Sequence, residues 1–412
     1  MSSIVIAGDT SGSVTLAAPA VAGTTTLTLP ATSGTVLTTA STTGISGSAI
    51  SSGTVAEAYG GTGTTTGYYG FKNRIINGAM VIDQRNVGSS VTPTDGLYTL
   101  DRWQFGVSQA SKLTVQQSST APTGFSNSLL VTSSSSYSIV SADYFYFRQY
   151  IEGFNFADFM FGTANAQTLT LSFWVRSSLT GTFGGSLINS AGNRSYPFTY
   201  TINAANTFEQ KTVTVTGDTS GTWVGATNGA GISVNFGLGV GSTYSGTAGA
   251  WASALYLGAT GATSVVGTNG ATWYVTGVQL EKGSTATSFD VRDYGRELML
   301  CQRYYYRMNA DTTSSFFSDG QCAGTTDACG TIQLKVSMRT YPTALEQSGT
   351  ATDYRVNHAG GSTTCSSVPA FRVGSSNAQG VTFTVASGLT LGRACALQAV
   401  QTTAYLAWSA EL

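Results

Sequence analysis

Between Trp273 and Arg307 the sequence changes character three times within one short stretch, WYVTGVQLEKGSTATSFDVRDYGRELMLCQRYYYR. A strand-like run, Trp273–Leu280, ends in a Lys282-Gly283 turn. A polar connector follows, and Gly295–Arg303 then carries the best short helix pattern of the chain. The aromatic run Tyr304–Tyr306 starts something new. Such a stretch predicts a seam: one β unit closes, a short helix links, and a second β unit opens. Elsewhere long helical faces are scarce. Thr, Tyr, Phe and Val favour strands, while Gly and Asn mark turns, so the expected class is all-β, built of sandwiches or barrels.

Charge supports that class and removes several functions. Charged residues make up 9 % of the 412, and the net charge is −1. No global field draws nucleic acid or an anionic membrane, and no basic run stands out. The first residues, MSSIVIAGDTSGS, hold neither a basic stretch nor a long apolar core, so neither a signal peptide nor membrane insertion is expected. Synthesis in a cytoplasm follows. The five cysteines, Cys301, Cys322, Cys329, Cys365 and Cys395, are an odd number in a chain of that kind. They read as free thiols packed as small apolar residues, with a Cys322–Cys329 bridge as the alternative. With one histidine, a zinc spacing is lacking.

Residues 1–66 are rich in Ser, Thr, Gly and Ala, with Tyr59 as their sole aromatic. Short β patterns occur at Ser13–Leu16, Thr26–Leu29 and Gly34–Leu37. Such a zone lacks the residues for its own core, so it reads as a linker or as a shaft stabilised by other copies. The GDTSG segments at Gly8–Gly12 and Gly217–Gly221 read as turns.

Several of these segments resemble those of bacteriophage tail-fibre and receptor-binding proteins. VTLAAPAVAGTTTLTLPATSGTVL is similar to N-terminal fibre segments, and Tyr59–Thr65 to the G-G-T-G-x-T elements of shafts. Asn73–Gly78 and Leu100-Asp101-Arg102-Trp103 resemble the opening of carbohydrate-binding-module-like jelly rolls, and Val278–Gly283 their close. The Glu297–Tyr305 region and the final Ala410-Glu411-Leu412 resemble the start and the last strand of fibre tips. The resemblance implies residues 1–66 as attachment or shaft segment, 67–292 as a jelly roll, and 293–412 as a β-sandwich tip. It also implies a homotrimer on a virion tail, joined to a tail or baseplate protein through residues 1–66. The host cell-surface glycan would be the ligand.

Face-by-face reading of two strands supplies candidate contacts. In Leu169–Arg176 one face is Leu169, Leu171, Phe173 and Val175, and the other carries Thr170, Ser172, Trp174 and Arg176. In Tyr144–Ile151 the outward set is Tyr144, Tyr146, Arg148 and Tyr150. If the two strands share a sheet, they form one aromatic and guanidinium platform on which sugar rings stack. The same face could equally pack against a neighbouring subunit, or serve simple core or surface packing. In the tip, Asp353–Gly361 reads as a polar loop offering Tyr354, Arg355 and His358, and Ser315–Gly320 as a loop offering Phe316 and Phe317. Strand alternation is expected in Ile332–Met338 and Val381–Val385.

No cofactor is expected. Jelly-roll modules often hold a structural Ca²⁺, but no D-x-D-x-D-G spacing seats one here. Enzymatic activity is not expected either. A Ser-His-Asp triad would have to use His358, and no G-x-S-x-G accompanies it. A glycosidase needs two facing carboxylates, and acidic residues here are few and scattered. No β-helix period of a depolymerase tailspike is present. The alternatives to host attachment are a structural virion appendage or a glycan-degrading tailspike.

Overall fold

Period-two alternation sorts the middle of the chain into two facing sheets. The computed structural model describes residues 3–7, 11–17 and 71–412. One sheet has six strands, ordered Ser195–Ile202, Gly181–Asn189, Ala230–Val240, Tyr144–Glu152, Trp103–Val107 and Tyr98–Leu100. The other has five, ordered Glu209–Val215, Leu169–Ser177, Thr272–Lys282, Ser128–Ser133 and Leu113–Ser118. All neighbours in both sheets are antiparallel. The chain repeatedly swaps sheets, in the crossing pattern of a jelly-roll sandwich. Inward residues of both sheets, among them Trp103, Phe147, Phe173, Phe236 and Trp273, fill one core. The fold is all-β with a single α-helix among the described residues.

A second core follows. A seven-stranded sheet contributes Phe317, Tyr354, Val381, Phe383 and Leu397. A three-stranded sheet of Tyr305–Asn309, Tyr405–Ser409 and Glu346–Gln347 adds Tyr306, Leu406 and Trp408. Residues 55–412 form one unit. The hairpin of Ser3–Ala7 with Ser13–Ala17 belongs to residues 1–54, the other unit. It includes the β pattern expected at Ser13–Leu16. The patterns at Thr26–Leu29, Gly34–Leu37 and Tyr59–Thr65 lie outside the described residues.

The helix is Tyr294–Gln302, one residue from its expected bounds at each end. Asp293 caps it by accepting a hydrogen bond from Arg296 N at 2.9 Å. Its buried Glu297 accepts a hydrogen bond from Asn77 N, which ties the helix to the Asn73–Gly78 opening. Gly78 is required there. A Cβ at that position would lie 2.2 Å from the Val278 carbonyl oxygen, and Gly78 O accepts a bond from Val278 N at 3.0 Å.

Four expectations need correction. Ile332–Met338 is not one strand: the strand is Asp327–Gln333. Its partner begins at Ala378, opposite Gln333, so no ladder reaches further. The alternation still holds its sense, since Ile332 and Met338 are both buried. Ala410–Leu412 is not a strand either, because the last strand ends at Ser409 and the final residues enter the seam. Ser315–Gly320 is not a loop, since a strand runs over Phe316–Cys322. The Asp353–Gly361 stretch is mostly the strand Tyr354–His358, paired on both sides. All five cysteines are unpaired. Cys322 and Cys329 sit on neighbouring strands with opposite orientation, one in the core and one facing Thr382.

The seam between the two cores is polar, largely buried and held by side-chain hydrogen bonds and ion pairs. Arg102 pairs with Glu411, donates to Tyr150 O at 2.6 Å, and lies 3.5 Å over the Tyr304 ring. Tyr98 Oη donates to Leu412 O at 2.6 Å, and Arg339 donates to Ala410 O and Glu411 O, each at 2.7 Å. Glu152 accepts from Arg303 and from Tyr304 Oη. Burial alone would raise Glu152, but these donors hold it below the usual carboxylate range.

Asp101 goes the other way. Burial pushes it up to about 7, against the pull of Arg85 and two hydrogen bonds from Gln84. An acid whose folded pKa is raised stabilises the fold below its unfolded value, and that contribution is lost as pH rises through the folded value. For Asp101 the loss runs from its ordinary value of 3.8 up to about 7. Asp101→Asn removes this titration. The Tm of that variant relative to the parent should therefore rise between about pH 4 and about pH 8. A constant difference in Tm would mean that Asp101 is already charged at the lower pH.

Candidate functional site

The strand Tyr144–Glu152 turns Phe145, Phe147 and Ile151 into the core, so Tyr144, Tyr146, Arg148 and Tyr150 stand on the outer face of the six-stranded sheet. Their surroundings come from register. Opposite Tyr146 lie Gly106 on one side and Gly237 on the other. The Tyr146 ring lies across Gly106: a Cβ there would come within 2.1 Å of it. Opposite Arg148 lie Gln104 and Asn235.

Gln104 immobilises Arg148. Its Oε1 accepts from Arg148 Nε at 2.7 Å, while its own Nε2 donates to Gly96 O at 3.0 Å. The guanidinium lies 4.3 Å from the Tyr150 ring centroid and 5.1 Å from that of Tyr146. Its two terminal nitrogens donate to no acceptor among the described residues, as do the hydroxyls of Tyr146 and Tyr150. Tyr144 is held by Asp95, to which its hydroxyl donates at 3.2 Å. Burial pushes the Tyr146 phenol up to about 12, so it remains a neutral donor. Beside Arg148 in the same cross-strand row, Asn235 Oδ1 and Ser186 Oγ are buried without hydrogen-bond partners among the described residues. Tyr146, Ile188 and Leu257 form a small apolar cover beside it.

Trp174 and Arg176 are elsewhere. Their strand belongs to the five-stranded sheet, so the single platform expected from the sequence does not form. The core lies between the two sheets, and an outward residue on one sheet points away from an outward residue on the other. On this second face Tyr274 stands opposite Arg176 and Thr276 opposite Trp174. Arg176 sits 5.0 Å from the Tyr274 ring centroid and 5.9 Å from that of Phe208. Gly277, in a bulge at φ +60°, leaves room for two rings. A Cβ there would meet Phe125 at 2.6 Å and Trp174 at 3.0 Å.

The tip candidates also divide. Phe317 and Tyr354 are core residues, and the Tyr354 hydroxyl donates to Tyr405 O at 2.7 Å. Phe316 is 61 % exposed and shares a row with Gln398 and Arg355 across three strands. Arg355 donates to Gln398 Oε1 at 3.1 Å and to Ser314 Oγ at 2.9 Å. His358 is half-buried at the hairpin end, 3.0 Å from Thr363 Oγ1.

Sequence reasoning missed Gln104, Tyr274, Phe208 and Phe125. Tyr274 was within reach, because Trp273 and Val275 are core residues and Tyr274 must then face out. Gln104 carried no signal, since its role depends on cross-strand register. Among the described residues no three His, Cys, Asp or Glu side chains converge as metal ligands, and no helix is long and apolar enough to cross a membrane.

No protein-family model and no curated protein matches this sequence. Solved structures show a partial likeness. The enzymatically active domain of bacteriophage CBA120 tailspike protein 4 is similar over 51 % of this chain at 13 % identity, with a TM-score of 0.29. This likeness spans 21 % of the tailspike chain. A family 11 carbohydrate-binding module from Clostridium thermocellum, solved with a mixed-linked tetrasaccharide, is similar over 49 % of this chain and 99 % of its own, at 11 % identity and a TM-score of 0.25. A xylan-binding domain from Paenibacillus barcinonensis matches 49 % of this chain and 99 % of its own, at 8 % identity and a TM-score of 0.22.

Proposed function

We propose that this chain is a virion tail-fibre protein that attaches to host cells by binding a surface glycan, without cleaving it. The observation that carries the binding reading is the pre-positioned Arg148. Gln104 and two tyrosine rings fix its guanidinium, while its terminal nitrogens remain available to hydroxyl oxygens. The partly exposed Tyr150 ring suits the C–H face of a pyranose, while Tyr146 is buried across Gly106 and supports the guanidinium from below. A fixed donor loses little side-chain entropy when a ligand arrives. Cleavage would need a second carboxylate facing the first across the ligand. On this face Asp95 is the carboxylate that touches the tyrosine row, and its oxygens serve Tyr144 Oη and Val107 N.

The fibre role rests on the tail-fibre resemblance of residues 1–66 and of the seam. It places the protein on the virion tail as a homotrimer, where several weak sites act together. Arg148→Ala removes a charged donor worth about 1.5–3 kcal/mol. Binding to a glycan array should weaken about 10- to 100-fold per site, and binding to host cells should be lost through reduced avidity. Trp174→Ala with Arg176→Ala tests the opposite face. Full glycan and cell binding by both variants would place the glycan site elsewhere on the chain, whereas no glycan or cell binding by the parent protein would favour a structural appendage whose aromatic faces serve assembly. Release of reducing sugar would make it a tailspike enzyme.

A further inference from the structure

The aromatic track on the five-stranded face does not end at its edge. Trp174 and Phe125 meet over Gly277, and Phe125 packs edge-to-face on Phe289 at 5.1 Å between centroids. Phe125 and Phe289 then form one wall of a cavity of about 140 Å³ at the seam, beside the helix. A closed apolar cavity of about 150 Å³ takes one benzene-sized ring. This cavity therefore has room for one ring, and not for an oligosaccharide.

The opposite wall is polar. Gly78 and Ala79 supply main chain, and Asp290, Arg292 and Glu297 supply charge. Arg292 is spent internally: it donates to Asn73 O and to Ile75 O, and it pairs with Glu297 at 3.3 Å. Asp290 Oδ2 accepts from Asn73 N at 3.4 Å and lies 3.7 Å from Arg292. Asp290 Oδ1 accepts no hydrogen bond from the described residues, and the side chain is 29 % exposed. Two carboxylates against one guanidinium leave the wall acidic.

The geometry points to a second sugar site: the cavity takes the terminal residue of a neutral glycan. The pyranose C–H face lies on Phe125 and Phe289, and its hydroxyls donate to Asp290 Oδ1. The next residues of the glycan run over Trp174 toward Tyr274. The acidic wall selects against uronic and sialic acids, because an anionic ring would face Asp290 and Glu297 while the lining Arg292 is already paired with both. This inference rests on the reading of the chain as a glycan binder, but it uses a different face from Arg148.

The test uses the full chain and ligand-detected NMR. The probes are the methyl pyranosides of glucose, galactose and mannose, with glucuronic acid as the anionic comparison. At least one neutral pyranoside should give saturation transfer, and in the Arg148→Ala background, where the other face offers no free guanidinium, glucuronic acid should give none. Asp290→Asn keeps the size of the side chain and should weaken the signal about tenfold, the loss of one charged acceptor. Ser126→Trp, at an exposed position on the cavity rim, should block it with little risk to folding. Trp174→Ala should leave the monosaccharide signal and abolish the gain in affinity from mono- to trisaccharide. A pyranoside signal that survives both cavity variants and disappears in Arg148→Ala would overturn the cavity site while the glycan reading stands. A parent protein that bound host cells but no pyranoside would overturn the cavity site in the same way. Absence of binding to pyranosides, glycan array and cells alike would overturn both.

Discussion

Glu411→Ala should destabilise residues 55–412 by about 3–5 kcal/mol, more than any exposed substitution in the chain. Glu411 and Arg102 are 5 % and 1 % exposed. Removing the carboxylate leaves the Arg102 guanidinium buried, with Tyr150 O as its remaining hydrogen-bond acceptor and the Tyr304 ring above it. The charge cannot reach water without opening the seam, so the penalty is that of an uncompensated buried ion. Because the same short tail also carries Ala410 O, Glu411 O and Leu412 O, each bonded by the seam, loss of Glu411 should loosen all of them together. Calorimetry should then show the two cores melting apart instead of in one transition. A double variant, Arg102→Met with Glu411→Leu, should recover most of the loss, because replacing both members of a buried pair with apolar groups is often neutral. A single-variant cost below about 1 kcal/mol, typical of an exposed ion pair, would show that Arg102 is hydrated.

Trp103→Ala should cost about 3–5 kcal/mol by loss of burial and creation of a cavity. The indole has no exposed surface. It stacks on Phe147 with centroids 4.4 Å apart and donates through Nε1 to Asn77 O at 3.0 Å. Asn77 is itself a hub in the left-handed region, at φ 57°. Its side chain bonds Ile82 N and O and Asp101 O. Alanine thus opens a void and removes one of the two hydrogen bonds to Asn77 O, which still accepts from Met80 N at 3.1 Å. Trp103→Phe keeps most of the volume and loses the hydrogen bond, so about 1–2 kcal/mol is expected. Urea denaturation of the two variants separates the volume contribution from the hydrogen bond. Equal costs for Ala and Phe would mean that the stack on Phe147 contributes nothing.

Both predictions fall on residues already visible as motifs. The D-R-W triplet stood out as a domain opening, and the structure gives each member a physical task. Asp101 is a buried acid, Arg102 the seam's ion, and Trp103 the core ring. Alternation was equally legible: the apolar sets of Tyr144–Ile151 and Leu169–Arg176 face the core, and their polar sets face out. The α-helix of the described residues could also be read to within one residue, from the local pattern of Gly295–Arg303, although its Asp293 cap was not.

What could not be read was which strands are neighbours. Alternation tells a side chain which face of its own strand it occupies, and nothing about the strand beside it. Tyr146 and Trp174 looked like partners and lie on opposite faces of a sandwich. The second core shows the same division. Phe316 and Phe317 are adjacent in sequence, and one is exposed while the other is core. The phase needed to tell them apart came from a register shift: Phe316 pairs with Gln398 and Ser318 with Leu397, about 80 residues away, which leaves Phe317 as the extra residue between them. Glu411 read as part of a last strand, and only the docking of the tail against Arg102 made it the anchor of the seam. Class, faces, helix and domain-opening motifs were local properties, determined by residue type and spacing. Sheet membership, the immobilised Arg148, the cavity beside Phe289 and the buried ion pair are contacts between distant segments, and only the tertiary structure decided them.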